Sequence, residues 1–429
     1  MLRCTMAVLG AMALGLCTAA LAQSTEAPAV RCLNVAEGAE AGRLVSIQDD
    51  TLTLAREGTE ASFPLADFRE IVFSQAQPAV APSIPPPLTV WADKGDVFMA
   101  RQIKGASKQE AVDITGYGWQ GIDVPLAAIR ALASRDVMGG PASGREEFDR
   151  IRQSPPQSSD RVAASKDGER VITCIVESAS QAGLNLAVGA GRSTIPWSEV
   201  RWAVLSPGAR PPERVTGHVV ELADGTCFRA QSLEVRGGVL TGRDGQARFS
   251  VDAPLSDRLA RIRIYSDAYR YLSDIEPEKV NRQPLLDIVW PPRFDRSVGG
   301  GPIILAGQAY EKGIAMDART EVTFGLGRAY SRFYATIGVD DGATTTRGVG
   351  TVGTAGKADA AARPGRVVFR VVADGRLLFE SGPLKSGDAP QALALDIGNV
   401  DKLTLVADFG SRVPAGGNFA DWADARVVK

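Results

Sequence analysis

Four carboxylates near the end of the chain, Asp340, Asp341, Asp421 and Asp424, have the residue type and spacing from which chemistry could be built. Two carboxyl groups facing each other across a glycosidic bond can act as acid and base. Carboxylates at a loop end can instead hold a hard cation, and Asp340, Asp341 and Asp424 are the calcium ligands this pattern suggests. Adjacent strand residues point to opposite faces, so Asp340 and Asp341 can share a task only if a turn intervenes. Other catalytic designs find little support. The chain holds one histidine, His218, within the strand-like run Val215–Leu222. A serine or cysteine nucleophile needs such a base within hydrogen-bond reach. G-x-S-x-G, a phosphate-binding Walker loop and H-E-x-x-H are all missing from the sequence. Gly348-x-Gly350-x-x-Gly353 fits the dinucleotide fingerprint in letters only, because the polar stretch Asp341–Arg347 precedes it where a buried strand is required. The expectation is a protein that binds and does not catalyse.

Sugar binding needs a flat apolar surface and convergent polar groups. Trp422, Tyr310 and Phe419 could supply the surface, and Lys312, Asp317, Arg319, Asn418 and Asp421 the polar groups. Trp422 has a second reading, as a core residue at the start of the last strand.

The elements that must position these residues read as strands. Val367, Phe369 and Val371 alternate, Asp374-Gly375 turns the chain, and Leu377-Leu378-Phe379 returns. Leu393, Leu395 and Ile397 alternate again, as do Leu403 and Leu405. No run has the length and spacing of a buried helix. The fold expected of residues 264–429 is an antiparallel β-sandwich with functional loops at its ends, in an all-β protein. Four phrases, Tyr310-x-Lys312-Gly313-Ile314, Phe333-x-Ala335-x-Ile337-Gly338-Val339-Asp340-Asp341, Phe369-x-Val371-x-x-Asp374-Gly375 and Asp421-Trp422-Ala423-Asp424-Ala425, occur in order, with Tyr271-Leu272-Ser273-Asp274-Ile275 upstream. In these this part of the chain resembles the NPCBM (novel putative carbohydrate-binding module) domain, found beside family 98 glycoside hydrolases and in many exported bacterial proteins. The resemblance implies a galactose-binding-like jelly-roll sandwich and a glycan ligand, galactose-type in some members. Many sugar-binding members carry histidine at two positions where this chain has Asp317 and Phe419. That departure changes the ligand chemistry.

Upstream, one phrase recurs from residue 42 to residue 263: apolar strand, proline, short polar turn, apolar strand. It appears at Phe63-Pro64-Leu65, Val124-Pro125-Leu126, Ile195-Pro196-Trp197 and Ala253-Pro254-Leu255. Proline suits the turn because its φ is fixed and its missing N–H is not needed by a ladder. Each copy follows strands joined by tight turns, which suggests small SH3-like or Sm-like barrel units. A unit of this size buries too little surface to stand alone. The expected division is one repeat pair at 38–134, a flexible linker at 135–167 in which only Glu146–Arg152 could form a helical turn, and a second pair at 168–263. The proline-rich stretch ending Pro85-Pro86-Pro87 is a stiff spacer. These repeats could also dock a protein partner.

Arg3, the apolar run Ala7–Leu21 and Ala20-Leu21-Ala22 have the layout of a signal peptide at residues 1–22, so an exported protein, periplasmic or extracellular, is expected. That run is too short to favour a membrane span. Cys32, Cys174 and Cys227 would then sit in an oxidising compartment, with a Cys174–Cys227 disulfide or three buried thiols as the alternatives. The formal net charge of −2 over 429 residues, with 23% charged residues, gives no electrostatic case for nucleic acid or an anionic membrane.

Overall fold

The computed structural model describes residues 27–74, 88–92, 95–105, 111–139, 142–152, 158–165, 170–206, 217–244, 247–283, 290–344, 366–410 and 419–429. The signal-like segment, Asn418 and the glycine fingerprint at 348–353 lie outside these.

The repeated proline does what its geometry allows. Pro64 and Pro125, at φ −57° and −55°, each lead into a single 3₁₀ turn, Leu65–Asp67 and Leu126–Ala128. Pro196 accepts the N–H of Glu199, and Pro254 opens the short turn Leu255–Arg258. The first strand residue after each turn, Phe68, Ile129, Val200 or Leu259, is buried. The strands that follow then pair with one another. Phe68–Phe73 of the first unit lies antiparallel to Leu259–Arg263 of the fourth, with Ile71 opposite Ile262. Ile129–Ser134 of the second lies antiparallel to Val200–Val204 of the third, with Leu132 opposite Ala203. The arrangement is therefore nested, first with fourth and second with third, and corrects the division into successive pairs. Further pairings between strands Trp119–Gln120 and Ala247–Val251, and between Val97 and Cys227, tie the second unit to the fourth. The first unit also begins earlier than expected, with strand Ala29–Asn34 carrying buried Cys32.

The 135–167 segment is not a flexible linker throughout. It contains helices Arg135–Gly139 and Ala142–Arg152 and strand Asp160–Ala164. Val137, Phe148 and Ile151 are buried, and the Phe148 ring lies 5.4 Å from Trp91 and 6.1 Å from Trp202. Two indole rings on the strands that flank Ile129–Ser134 need an apolar cover, and this helix supplies it.

The three cysteines are free. Cys174 sits opposite Asp160 in one ladder and Cys227 opposite Glu221 in another, so the suggested Cys174–Cys227 bridge does not form. Burial pushes the thiol of Cys32 up to about 12 and those of Cys174 and Cys227 to about 11, which leaves no nucleophilic thiolate. His218, in strand His218–Leu222, accepts the Tyr265 N–H on Nδ1 at 3.3 Å, and burial holds its pKa below the ordinary value. It is a satisfied structural residue. Among the described residues no helix is long and apolar enough to cross a membrane.

Residues from 269 onward form the expected antiparallel β-sandwich. One sheet runs through strands Arg293–Phe294, Gly313–Asp317, Phe419–Val428, Arg332–Val339 and Gln391–Asp396. The other runs through Lys279–Arg282, Thr320–Gly325, Lys402–Phe409, Arg366–Ala373 and Arg376–Glu380. The core between them gathers Ile314, Met316, Phe324, Phe333, Phe369, Leu405 and Trp422. A small hairpin, Ile303–Leu305 with Gln308–Tyr310, covers the outer face of the first sheet.

Candidate functional site

Strand Phe419–Val428 is the central strand on which most of the candidate residues depend, and its side chains divide by face. Trp422 points inward. It is 0% exposed, 5.2 Å ring to ring from Phe369 on the facing sheet and 6.5 Å from Phe333 on its own. It joins the two sheets and offers no surface to a sugar, so its core reading holds and its ligand-binding reading is corrected. Asp421 points outward, beneath the 303–310 hairpin, and is also 0% exposed. Opposite it stands Gly338, where a side chain would press on Leu305.

Asp421 meets the Asp340 carboxyl there. Among the described residues neither Asp421 oxygen has a hydrogen-bond partner. Burial first, then Asp340 and Asp341, hold the Asp421 pKa well above the ordinary carboxyl value, which favours its protonated form. Asp340 Oδ1 accepts the Gly342 N–H at 2.7 Å, and Asp341 accepts the N–H groups of Ala306 and Gly307 at 3.1 and 2.7 Å. Asp341 thereby clips the hairpin turn to the sheet end, while Asp340 closes its own turn. With Asp340 5% exposed and Asp421 0%, no glycosidic bond can enter between them.

Asp424 is elsewhere. Its φ of +52° marks a bulge that breaks the two-residue alternation, so Arg426 as well as Asp424 faces outward. Asp424 pairs with Arg426 at 2.7 Å and Arg69 at 3.3 Å. Arg426 donates to the carbonyls of Val35 and Ala36 in the first repeat unit at 2.8 and 2.5 Å. The three suggested calcium ligands do not converge, and among the described residues no three His, Cys, Asp or Glu side chains group to hold a metal ion.

Lys312 belongs to the same end as Asp424. Its ammonium bonds Asp274 at 2.7 Å and Asp295 at 2.6 Å, and although burial pulls its pKa down, those two carboxylates raise it overall. Tyr310 packs on the hairpin core beside Ala423. Glu311 pairs with Arg261 and Arg263 of the fourth unit. This end of the sandwich is thus built into a junction with the repeats, and Lys312 and Tyr310 serve that architecture.

The opposite end gathers the remaining candidates. Asp317, the last residue of strand Gly313–Asp317, stands directly across from Phe419, the first residue of the central strand. The two departures from the histidine pattern are therefore cross-strand neighbours. Asp317 is half-buried; burial raises its pKa, opposed by the Ala318 N–H at 3.0 Å. Arg319, held at φ +63° in the turn, donates to Gln283 Oε1 at 2.7 Å. Trp290 lies edge-on to Phe419 with ring centroids 6.1 Å apart. The sequence reading missed Trp290 and Gln283; a tryptophan directly before Pro291-Pro292 was the available signal, since such a dipeptide rarely lies in a core strand. Phe419 is itself 8% exposed and packs with the core, so the half-buried Trp290 and Asp317, with Arg319 two residues beyond Asp317, are what this end leaves for a polyhydroxylated ligand.

Comparison with known proteins concerns this sandwich. Residues 268–428 match the model described as the NPCBM/NEW2 domain. A protein of Renibacterium salmoninarum named for an endo-alpha-N-acetylgalactosaminidase is 29% identical over 130 residues, 30% of this chain; the match spans only 7% of that relative's length. Among solved structures, a CBM51 module from Clostridium perfringens GH95 in complex with methyl-galactose is 22% identical, covering 37% of this chain and 99% of that one at a TM-score of 0.30. Tandem CBM51 modules of the family 98 glycoside hydrolase from Streptococcus pneumoniae are 14% identical, covering 80% of this chain and 88% of that one at a TM-score of 0.29. Residues 268–428, carried behind the four β-units, thus match the NPCBM/NEW2 domain.

Proposed function

We propose that this is an exported, non-catalytic carbohydrate-binding protein whose ligand docks at the Asp317–Arg319–Phe419–Trp290 end of the sandwich. The observation that carries the reading is the asymmetry of the two ends. One is consumed by Glu311, Asp424 and Arg426 in the junction with the repeats, with Lys312 beside them held by Asp274 and Asp295. The other carries Trp290 packed on Phe419, with Asp317 across from Phe419 and Arg319 in the following turn, and no repeat unit is in contact there among the described residues. The domain family favours a glycan, galactose-type in the first instance. Asp317 would accept from sugar hydroxyls, Arg319 would donate to them, and Trp290, backed by buried Phe419, would meet the apolar face of the ring. The signal-like residues 1–22 support export to the periplasm or beyond. Sealed carboxyls at Asp340 and Asp421 and a structural His218 support binding without turnover.

One observation favours a second reading, a protein-interaction module of the cell envelope. The residues that replace the histidine pair, Asp317 and Phe419, are neighbours, so both changes fall on a single site. A glycan array probed with the full chain separates the two. Saturable binding to a galactose-containing glycan, reduced at least tenfold by Arg319→Ala or Asp317→Ala with unchanged thermal stability, supports the glycan reading. Absence of any glycan signal from the folded full chain overturns it.

A further inference from the structure

Among the repeats lies a cleft of about 890 Å³ that the sandwich does not touch. It forms where the fourth unit's strands Ser232–Arg236, Val239–Asp244 and Ala247–Val251 meet the second unit's strand Trp119–Gln120 and the turn Asp49-Asp50 of the first. The nested pairing of units creates it, since no single unit has these walls.

The sheet face toward the cleft is polar by register. Arg243 stands directly opposite Arg248, Thr241 opposite Ser250, Ser232 opposite Arg243, and Gln120 opposite Ser250. The other face of the same strands carries the core residues Leu233, Val235, Leu240, Phe249 and Val251. Gly242 lets the Phe249 ring lie against the strand, because a Cβ there would come within 2.4 Å of it. The polar face is therefore held rigidly by its apolar reverse.

The two arginines need an explanation. Like charges directly across an antiparallel pair are destabilising. Some arginines of the repeats are matched, as Arg261 is to Glu221 and Arg229 to Asp96. Arg243 and Arg248 have no ion pair among the described residues. Four carboxylates line the same cleft: Glu234 pairs with Arg236, Asp49 and Asp50 sit in a left-handed turn at φ +49° and +55°, and Asp113 lies on strand Ala111–Thr115. A pair of forks without a counter-ion, set among hydroxyls, suits an oxyanion attached to a polyhydroxylated molecule. The acidic residues on the rim disfavour a densely charged polyanion, which leaves one carboxylate per sugar ring as the fitting charge density.

We propose that this cleft is a second binding site, for an acidic saccharide of the uronate type. Arg243 and Arg248 clamp the sugar carboxylate, and Ser232, Thr241, Ser250 and Gln120 meet its hydroxyls. The proposal is independent of the sandwich site.

The test is calorimetric titration of the full chain with trigalacturonate, neutral galactotriose and inorganic phosphate. Saturable trigalacturonate binding is expected, weakened by salt and at least tenfold weaker in Arg243→Gln/Arg248→Gln. Both positions are exposed, so that variant should keep its melting temperature or gain slightly; Ser250→Trp, which fills the cleft, is the second variant and should also abolish binding. No saturable binding of trigalacturonate by the unaltered protein overturns the proposal. So does unchanged affinity in both variants, or equal binding of galactotriose. Phosphate binding as tight as trigalacturonate would show an anion site without saccharide recognition, and would overturn it too.

Discussion

Trp422 and Asp421 are adjacent, and the pleat sends them into opposite surroundings. The indole fills the space between the sheets, so Trp422→Ala leaves a cavity and costs about 3–5 kcal/mol, measured as a drop in the urea midpoint of the sandwich. Loss of ligand binding in that variant would report unfolding and not a missing contact. Asp421 makes a different prediction. Its folded pKa is raised, so the native state holds a proton that the unfolded chain releases above about pH 4. Its contribution is therefore complete below that pH and declines as pH rises toward the folded value. Asp421→Asn should flatten this decline and stabilise the sandwich at neutral pH by about 1–3 kcal/mol, the scale of a buried polar group relieved of its desolvation. Thermal melts of both proteins across pH will read it. The residue types of the site were legible in the sequence, and so was the choice for Trp422 between core and platform. Which side of the choice holds was not legible, because the answer depends on the facing Phe369 and on the hairpin that closes over the outer face.

At the scale of elements, Gly313 shows why a short phrase such as Lys312-Gly313-Ile314 has its form. A Cβ at Gly313 would come within 2.7 Å of the Trp422 carbonyl oxygen, and Ile303 closes the other side. Gly313→Ala must push the central strand away or lift the hairpin, at a cost of about 1–3 kcal/mol in chemical unfolding. The alternating strands and proline turns were readable because both are local: a period of two and a fixed φ need no partner to be recognised. The helix Ala142–Arg152 was mostly hidden, since its low apolar content gives a weak period and its reason lies in Trp91 and Trp202, remote in sequence. The bulge at Asp424 was hidden as well. Nothing in Asp421-Trp422-Ala423-Asp424-Ala425-Arg426 announces where alternation breaks, yet that break turns Arg426 toward the first repeat.

For the whole molecule, the sandwich is docked to the repeats and not tethered beside them. Val35 packs with Tyr269, Tyr271, Tyr334 and Val428, and Arg426, Asp424 and Arg69 form the polar part of the junction. The Glu311 pairs with Arg261 and Arg263 are partly exposed and worth up to about 1 kcal/mol each, whereas buried Arg426 holds two backbone carbonyls and is worth about 1.5–3 kcal/mol. Arg426→Ala should therefore split a single calorimetric unfolding transition into two, one for the repeats and one for the sandwich, while Glu311→Gln should barely move it. The order in which the units pair could not be read from the repeats, because the four proline turns are nearly equivalent and long-range strand partners leave no local mark. Docking also decides which end of the sandwich meets the repeats among the described residues, and the proposed function rests on that. Hydrogen exchange of the full chain, with and without a saturating glycan identified on the array, tests it most directly. The account predicts added protection in the peptides spanning Gly313–Asp317 through Thr320 and Phe419–Ala423. Protection confined to Tyr310–Lys312 and Asp424–Arg426, with none at Asp317 or Phe419, would contradict it.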